Sequence, residues 1–344
     1  MPVKQSLATC LLCLGISCAC RQQPARKPDC RAEGYRRTAR FIERNRPRYL
    51  EVRDRAISFL GSLSVDPVAL RREGRKGKKK LVELLDAYAA LHRHAKGARR
   101  RELAERFRQA ARFTELPEYH DLGTAGERQL RQDATSYLRA CYLMDRMGLD
   151  TAGYRERIRA VKARLDAHMA GRGPHQRMAF RWYYDHFKLA LPPVLKVPIK
   201  NTLLARRPNP YRISVDHAYG LTHEIFVPYD YGATLAANPF SADERAYLRR
   251  ALQVLTTVHI ARRNVDLVGE LLASLRYLGQ SDLDVFRDGL RFLLASQRPN
   301  GAVGDYERLR DRRGDRLELD LYLHTTSVAM DILPLAFEGP SVVP

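Results

Sequence analysis

The sequence predicts an all-α protein built from stacked antiparallel helical hairpins, forming a complete or incomplete α/α toroid. From about residue 35 to residue 335, apolar residues recur three and four positions apart, which is the spacing of one helix face. Gly, Pro and Asn separate these segments, and the alternation typical of strands is nearly absent. Short connections between successive helices favour antiparallel neighbours, so we expect helical hairpins.

Eleven helices are expected along the chain. The first contains Pro47 and should bend there. A capping box at Ser241 and Glu244 predicts the start of the eighth, and Asn264 and Ser281 are expected to cap the next two. The predicted helices span residues 35–63, 78–94, 98–113, 124–147, 151–170, 174–190, 213–226, 242–262, 265–278, 282–297 and 318–335.

The first twenty residues predict export. Lys4 precedes an apolar run from Leu7 to Cys20 that is shorter than the roughly 18 apolar residues of a bilayer-spanning helix. Residues 1–20 are therefore expected to be a signal peptide or a lipoprotein signal, in which Cys18 or Cys20 would be acylated. Either alternative places the protein in the periplasm or at a membrane, held by an N-terminal lipid.

The rest of the chain divides into a tether and a helical body. Residues 21–33 are polar and contain proline, as in a tether. Residues 34–200 form an N-terminal helical part, and residues 201–344 form C-terminal hairpins that carry the candidate site; the two are expected to be one continuous domain. Cys30 and Cys141 are the cysteines outside the apolar run, and they can either form a disulfide or remain two thiols.

The net charge is the extreme feature of the composition. The formal charge is +21 and the pI is about 10.0, so the surface attracts polyanions. An anionic glycan or an anionic membrane surface is the expected partner, whereas nucleic acid is not expected for an exported protein. Seven cations lie between Arg71 and Lys80, either as a solvated loop and first helical turn or as a holder of phosphate or sulfate.

The densest polar cluster lies in residues 216–231. Asp216 and His223 are seven positions apart, and so are His217 and Glu224. The two residues of each pair therefore lie on nearly the same side of a helix. A carboxylate can orient an imidazole and raise its basicity. We therefore assign catalytic roles to His217, Tyr219 and His223, and ligand-binding roles to Asp216, Glu224, Tyr229, Asp230 and Tyr231.

A second polar stripe surrounds His324. Asp320, His324, Ser327 and Asp331 follow helical spacing through an apolar segment, and polar groups there need partners or a pocket. We assign His324 as catalytic and Asp320 as ligand-binding. The spacing of the His and acidic residues in 216–224 differs from the His-Glu-x-x-His of zinc proteases, and a metal there would need a third ligand such as His324, so no metal site is assigned. The sequence identifies no cofactor.

One turn motif carries a family resemblance. The stretch Gln297-Arg298-Pro299-Asn300-Gly301-Ala302-Val303-Gly304-Asp305-Tyr306 resembles the Gln-x-x-Asp/Asn-Gly-x-x-Gly turn of α/α-toroid proteins such as terpene cyclases, prenyltransferases and several polysaccharide-active enzymes. Asn-Gly is also a common turn dipeptide in other folds. More widely, residues 200–340 resemble a bacterial helical family of unknown function, a resemblance that implies no activity.

Two functions remain open from the sequence. The first is an exported helical protein that binds a ligand, expected to be anionic, in a central pocket of His, Tyr and Asp side chains. The alternative is an α/α-toroid lyase or hydrolase that acts on an acidic polysaccharide or a cell-envelope substrate. For elimination from a uronic acid, Tyr219 or His223 would be the base and Arg212 would neutralise the carboxylate.

The apolar run generates the first testable prediction. When the full chain is expressed in an exporting bacterium, the mature protein should begin near Cys18 or Cys20 or carry acylation there, because the run has the length of a signal-peptide core. Intact-mass spectrometry of the purified protein measures this. An unprocessed Met1 in a soluble cytoplasmic fraction would contradict it.

Overall fold

The computed structural model describes residues 30–197, 199, 201–235, 238–314 and 316–340. These residues confirm the all-α class: they form helices and connecting turns, and their only β feature is an isolated bridge between Gln297 and Val303. The leader expected at residues 1–20 and residues 21–29 of the expected tether lie outside the described residues, whereas residues 30–33 form the first turn of α1 and are not part of a tether.

Sixteen α-helices occur in the described part of the chain. They are α1 (Cys30–Ser62), α2 (Pro67–Arg72), α3 (Gly77–His94), α4 (Gly97–Ala111), α5 (Glu127–Arg146), α6 (Ala152–Ala160), α7 (Lys162–Ala167), α8 (Pro174–His186), α9 (Pro193–Lys196), α10 (Leu203–Arg206), α11 (Val215–Phe226), α12 (Ala242–Ala261), α13 (Val265–Tyr277), α14 (Asp284–Ala295), α15 (Arg310–Arg313) and α16 (Leu323–Phe337).

Two of the three expected caps are confirmed. Ser241 and Glu244 form the capping box of α12, and the Asn264 side chain accepts from the backbone N–H of Leu267 at 3.2 Å in α13. The Ser281 cap is wrong, because α14 begins three residues later and the Ser281 carbonyl instead accepts from the Thr38 hydroxyl at 2.6 Å.

Two expected helices differ in their detail. The helix expected at 151–170 is split at Val161, where the backbone leaves helical geometry at φ −97° and ψ 5°. The helix expected at 318–335 begins with a π-helical turn over Glu318–Tyr322 before α16 starts. A π turn shifts the phase of the residues that follow it, and such turns are frequent at functional sites.

Six helices pack in a closed ring. In order around the ring, α3 contacts α5, α5 contacts α8, α8 contacts α11, α11 contacts α13, α13 contacts α16, and α16 contacts α3. A second layer packs on this ring: α4 on α3, α12 and α14 on α13, and α1 on α16. Three consecutive ring helices come from the expected N-terminal part and three from the expected C-terminal part, so both parts close a single ring.

Contacts between α3 and α16 show that these two ring helices are parallel. Near their starts, Nδ1 of His324 lies 3.1 Å from Oε1 of Glu83. Further along both helices, Nη1 of Arg93 lies 3.8 Å from Oδ1 of Asp331. Residues near the start of α3 contact residues near the start of α16, and later residues contact later ones, so the two helices run in the same direction.

The same order holds between α11 and α13. The Tyr219 hydroxyl donates to Oδ2 of Asp266 at 2.6 Å, and the rings of Phe226 and Tyr277 lie 5.6 Å apart. Asp266 and Tyr277 also contact the two α16 side chains just described, again in the same order. Four neighbouring ring helices thus point the same way and bring their first turns to one end of the ring.

The turn after α14 fastens this ring to α1. The Gln297 side-chain amide donates to the carbonyls of Val52 at 2.7 Å and of Gly301 at 3.1 Å. Nη2 of Arg55 donates to the carbonyl of Pro299 at 2.7 Å. Gly301 has φ +93°, and a Cβ there would lie 2.2 Å from the Arg55 carbonyl oxygen, so only glycine fits this close approach.

This close approach predicts a large effect of Gly301→Ala. The variant should lose stability through both left-handed strain and backbone overlap. Gly148→Ala is the matched control, because Gly148 has φ +73° but nothing within 4 Å of its Cβ position. In urea unfolding, Gly301→Ala should exceed the control by about 1–3 kcal/mol, the usual cost of overpacking. Equal losses would show that the α1 contact is loose.

Candidate functional site

A cavity of about 150 Å³ lies inside the ring. That volume has room for on the order of ten water molecules, close to the size of one sugar ring. Its wall combines ionisable, aromatic and small apolar side chains from five of the ring helices and the turn after α11. The lining residues are Glu83, Asp86, Ala90, Arg93, Arg139, His223, Phe226, Tyr231, Glu270, Ala273, His324, Ser327, Val328 and Asp331.

His324 lies between two buried carboxylates. Its Nδ1 is 3.1 Å from Oε1 of Glu83, and its Nε2 is 3.5 Å from Oδ1 of Asp266. Burial disfavours the imidazolium, but the two carboxylates outweigh burial and raise the pKa of His324 to about 9. The same pairing, with Lys79 and Lys80, lowers the pKa of Glu83 to about 2 despite its burial. His324 is therefore a cation at neutral pH.

Tyr219 extends this chain of contacts. Its hydroxyl donates to Oδ2 of Asp266 at 2.6 Å, so Asp266 is held between a phenol and an imidazolium. Burial and the Asp266 charge raise the pKa of Tyr219 well above its usual range. The Tyr219 phenol therefore keeps its proton, which makes it a hydrogen-bond donor and a poor base.

Glu270 is held as a neutral acid. The Thr222 hydroxyl lies within hydrogen-bond distance of both the Tyr219 carbonyl, at 2.8 Å, and a Glu270 carboxyl oxygen. A hydroxyl has one proton and a carbonyl can only accept. The single Thr222 proton can serve only one of these two acceptors at a time. Burial and the nearby Asp266 charge outweigh the Thr222 hydrogen bond, which favours the carboxylate, and raise the pKa of Glu270 to about 8.

His223 faces the cavity beside Glu270. Its Nε2 lies 4.0 Å from Oε1 of Glu270, and its ring centroid is 5.7 Å from that of His175 on α8. About 38% of the side-chain surface remains accessible, and it opens into the cavity. Burial within the ring, with the neighbouring imidazoles of His175 and His324, lowers the pKa of His223 to about 3. This imidazole is neutral at physiological pH.

Two arginines form the other end of the cavity. Arg139 on α5 donates from Nε to Oδ1 of Asp86 at 2.9 Å, and its guanidinium lies 4.3 Å from the centroid of the Tyr231 ring. Arg93 donates to the Tyr231 carbonyl at 3.2 Å and approaches Asp331 at 3.8 Å. Burial raises the pKa of Asp331 although Arg93 opposes the shift. One donor remains unused: Nη1 of Arg139 is buried and has no hydrogen-bond partner among the described residues.

Four of the predicted site residues lie in or beside the cavity. His223, His324 and Tyr231 line it, and Tyr219 reaches its wall through Asp266. The predicted segments around residues 216–231 and 320–327 therefore converge, and the structure places their central residues together.

Three predicted residues lie on the surface instead. Asp216 and His217 are exposed in the first turn of α11, and Arg212 is exposed just before it. The predicted pairs of Asp216 with His223 and of His217 with Glu224 do not form among the described contacts. Seven residues advance about 10.5 Å along a helix axis, so sharing a side of the helix does not bring such residues into contact.

The remaining four predicted residues have other roles. Glu224 caps α10, accepting from the backbone N–H groups of Leu203 at 2.9 Å and Leu204 at 3.0 Å. Asp230 accepts the Tyr142 hydroxyl at 2.6 Å, outside the cavity wall. Tyr229 is buried and packs at 6.0 Å from the Phe240 ring, and Asp320 approaches Arg313 at 3.5 Å in the π turn.

Sequence reasoning missed most of the charged wall. Glu83, Asp86 and Arg93 come from α3, Arg139 comes from α5, and Asp266 and Glu270 come from α13. A local pattern could have identified Asp266 and Glu270. The helix Val265–Tyr277 is largely apolar, so acidic residues are unusual in it, and these two lie one turn apart on the same face.

The basic block is largely used inside the protein. Lys78 is buried and contacts Asp121 and the Tyr137 hydroxyl, and Lys80 pairs with Glu83 at 3.2 Å. Arg71 donates to Asp121 at 2.9 Å. These side chains hold α2, α3 and the following turns together, so the expectation of a solvated block is wrong for Lys78 and Lys80.

Three further features concern the two cysteines, the grouping of metal-ligating side chains and the length of the helices. Cys30 is exposed at the start of α1 and Cys141 is buried in α5, and they do not form a disulfide. Across the residues the structure describes, no three or more His, Cys, Asp or Glu side chains are grouped to hold a metal ion. None of the described helices is long and apolar enough to span a bilayer.

An all-α protein with a closed helical ring around a cavity that several ionisable side chains line is the class that this fold and site define. The chain belongs to the family described as Domain of unknown function (DUF6895), which it matches over residues 35–331. The match confirms a family of unknown function, and it extends well beyond the expected residues 200–340 to include α3 and α5. No curated protein and no solved structure matches the chain.

The neutral Glu270 predicts a pH dependence of stability. Its folded-state pKa, about 8, lies above the usual 4.5, so its contribution to the free energy of unfolding is full below pH 4.5 and is lost as the pH rises through 8. Glu270→Gln should remove this loss. In urea unfolding, the fall in stability between pH 5 and pH 8 should shrink by at least about 1.4 kcal/mol, the equivalent of one pKa unit.

Asp216→Asn is the matched control for this measurement. It neutralises an exposed carboxylate on the neighbouring helix α11, outside the cavity. The control should keep the pH dependence of the unmodified protein. If Glu270→Gln keeps it too, Glu270 is ionised in the folded state and its assignment as a neutral acid is wrong.

Proposed function

We propose that this protein is an exported helical protein that binds a polar ligand in the central cavity of an α/α-toroid-like ring. The observation that carries the proposal is the convergence of ionisable side chains from five ring helices on one cavity. The proposal of export is based on the apolar run at Leu7–Cys20. The same run supports the alternative that the exported protein carries an N-terminal lipid anchor.

The composition of the cavity wall supports binding over a structural role. Filling the ring with apolar side chains would stabilise it more than burying charges that must be paired. Clusters of buried groups with shifted pKa values are typical of functional sites. Here His324 is held charged, while Glu270 and His223 are held neutral in the same cavity.

The ligand should be small and rich in hydrogen-bonding groups. The cavity volume, about 150 Å³, suits one sugar-sized group, and the wall offers both donors and acceptors. The buried Nη1 of Arg139 is a charged donor without a partner among the described residues, so a carboxylate or another anionic group on the ligand would complete its hydrogen bonding. An acidic sugar unit combines these features.

A second candidate function is hydrolysis of an acidic polysaccharide or a cell-envelope glycan. The observation that favours it is the Glu270 carboxyl, whose pKa is raised by burial and the Asp266 charge, in the same cavity as the carboxyl groups of Glu83 and Asp86. Glycoside hydrolysis uses one carboxylic acid as proton donor and one carboxylate as base or nucleophile. Glu270 would be the proton donor, and Asp86 is a candidate for the carboxylate.

The lyase version of this activity receives less support. Tyr219 keeps its proton by donating it to Asp266, so its phenol is a poor base. Arg212 is exposed before α11 and does not line the cavity, so a lyase would need His223 as its base and Arg139 as the cation that faces a uronic carboxylate. We therefore propose hydrolase over lyase within the enzyme alternative.

The binding proposal predicts that substitutions of His223 and His324 differ in their effects on stability and on ligand binding. His223→Ala removes a cavity-facing side chain with few polar contacts, so it should change the free energy of unfolding by less than about 1 kcal/mol and weaken binding at least tenfold, equivalent to about 1.4 kcal/mol. His324→Ala should destabilise by about 1–3 kcal/mol, because it leaves Glu83 and Asp266 without their shared partner. Thermal shift and calorimetry with galacturonate, glucuronate and N-acetylglucosamine measure both effects.

His217→Ala is the matched control, since it alters an exposed imidazole on the same helix as His223. Ligand-induced stabilisation of this control should equal that of the unmodified protein. If His223→Ala and His324→Ala both melt early while binding is intact, the cluster is structural. For the enzyme candidate, Glu270→Gln should retain binding and lose turnover of fluorogenic glycosides of the bound sugar.

A further inference from the structure

The loop before α11, residues 206–215, presents apolar side chains to solvent. Tyr211 is 79% exposed and Val215 is 38% exposed. They are two of the four large hydrophobic residues that are exposed in the described part of the chain, and they lie four positions apart. Exposed large hydrophobic groups that are close together indicate a contact surface more often than isolated ones do.

Three arginines in the same loop are also exposed. Arg206, Arg207 and Arg212 form no ion pair with any described residue. Three acids lie near them: Glu224, whose charge interacts with Arg206 but which is buried as the cap of α10; Glu244, which interacts with Arg207 but is held in the capping box of α12; and the exposed Asp216. Among these groups the three arginines and Asp216 are the exposed ones, so the outer surface of the loop is cationic.

The backbone of this loop is fixed. The Asn209 side chain accepts from the Tyr211 N–H at 3.1 Å, and the Tyr247 hydroxyl donates to the Pro208 carbonyl at 3.1 Å. The Ser214 hydroxyl caps α11 by accepting from the backbone N–H of His217, the third residue of the helix. Tyr211 is thus held outward on an ordered turn.

We propose that the 206–215 loop docks on an anionic bilayer surface. The Tyr211 ring and the Val215 side chain would enter the headgroup region, where aromatic rings with a polar edge are favoured. Arg206, Arg207 and Arg212 would contact the lipid phosphates. The valine favours a bilayer over a soluble polyanion, because it gains free energy against lipid and not against a hydrated polymer. This surface is separate from the central cavity.

Tryptophan fluorescence tests the insertion directly. Trp182 is the only tryptophan of the chain, so Tyr211→Trp combined with Trp182→Phe places a single reporter in the loop. In the full-length chain with vesicles of phosphatidylglycerol and phosphatidylcholine, its emission should shift to the blue and be quenched by brominated lipid. Absence of quenching in a protein that remains helical by circular dichroism overturns the proposal.

Charge variants test the arginines. Arg206→Gln, Arg207→Gln and Arg212→Gln combined should weaken vesicle binding on the order of 100-fold at low salt, at about fivefold for each arginine. The control combines Arg101→Gln, Arg128→Gln and Arg159→Gln, which removes the same charge from other exposed positions that form no ion pair with the described residues. The apolar run at Leu7–Cys20 is present in both proteins, so their difference reports the loop.

Two results would overturn the assignment. If the two triple variants lose the same affinity, attraction is a property of the net charge and not of this loop. If the Tyr211→Trp reporter responds to polygalacturonate but is not quenched by brominated lipid, the loop binds an acidic polysaccharide. A larger loss in the loop variant than in the control, together with lipid quenching, supports the bilayer.

Discussion

The position of His324 between Glu83 and Asp266 is the interaction on which the polar interior depends. It joins α16 to α3 and to α13, and through Asp266 it also reaches Tyr219 on α11. A buried charge is tolerated only when its partners are placed well, and removing one partner leaves the others uncompensated. Three helices are thus fixed relative to one another by a single imidazolium.

The charge on His324 is part of a wider distribution of protons in the cavity. His324 pairs with Asp266, and burial together with the Asp266 charge raises the pKa of Glu270 one helical turn away. His223, facing the same cavity, stays neutral chiefly because burial disfavours its charged form, and the neighbouring imidazoles of His175 and His324 act in the same direction. The ring therefore carries both a protonated acid and an unprotonated imidazole at neutral pH.

Local patterns in the sequence were sufficient for the fold class and for the two segments that bring His223 and His324 to the cavity. The capping box of Ser241 and the apolar faces of α12 and α13 depend on neighbouring residues, so spacing alone located them. The wall contributed by Glu83 and Arg139 depends on closure of the ring, which joins residues more than two hundred positions apart. Spacing could not show that His217 faces solvent while His223 faces the cavity, because this depends on which side of α11 meets its neighbours.

The contact between α3 and α16 has a consequence for how the chain folds. The Ser327 hydroxyl on α16 donates to the Glu83 carbonyl at 3.0 Å across a sequence separation of 244 residues. Contacts between residues so far apart in the sequence form only after a long loop has closed. The entropy lost in closing that loop slows folding. While the chain is being synthesised, α3 exposes its cavity-facing carboxylates and its apolar flanks until α16 has emerged. Closure of the ring therefore waits for α16, and a chain interrupted before α16 would leave an open arc of helices.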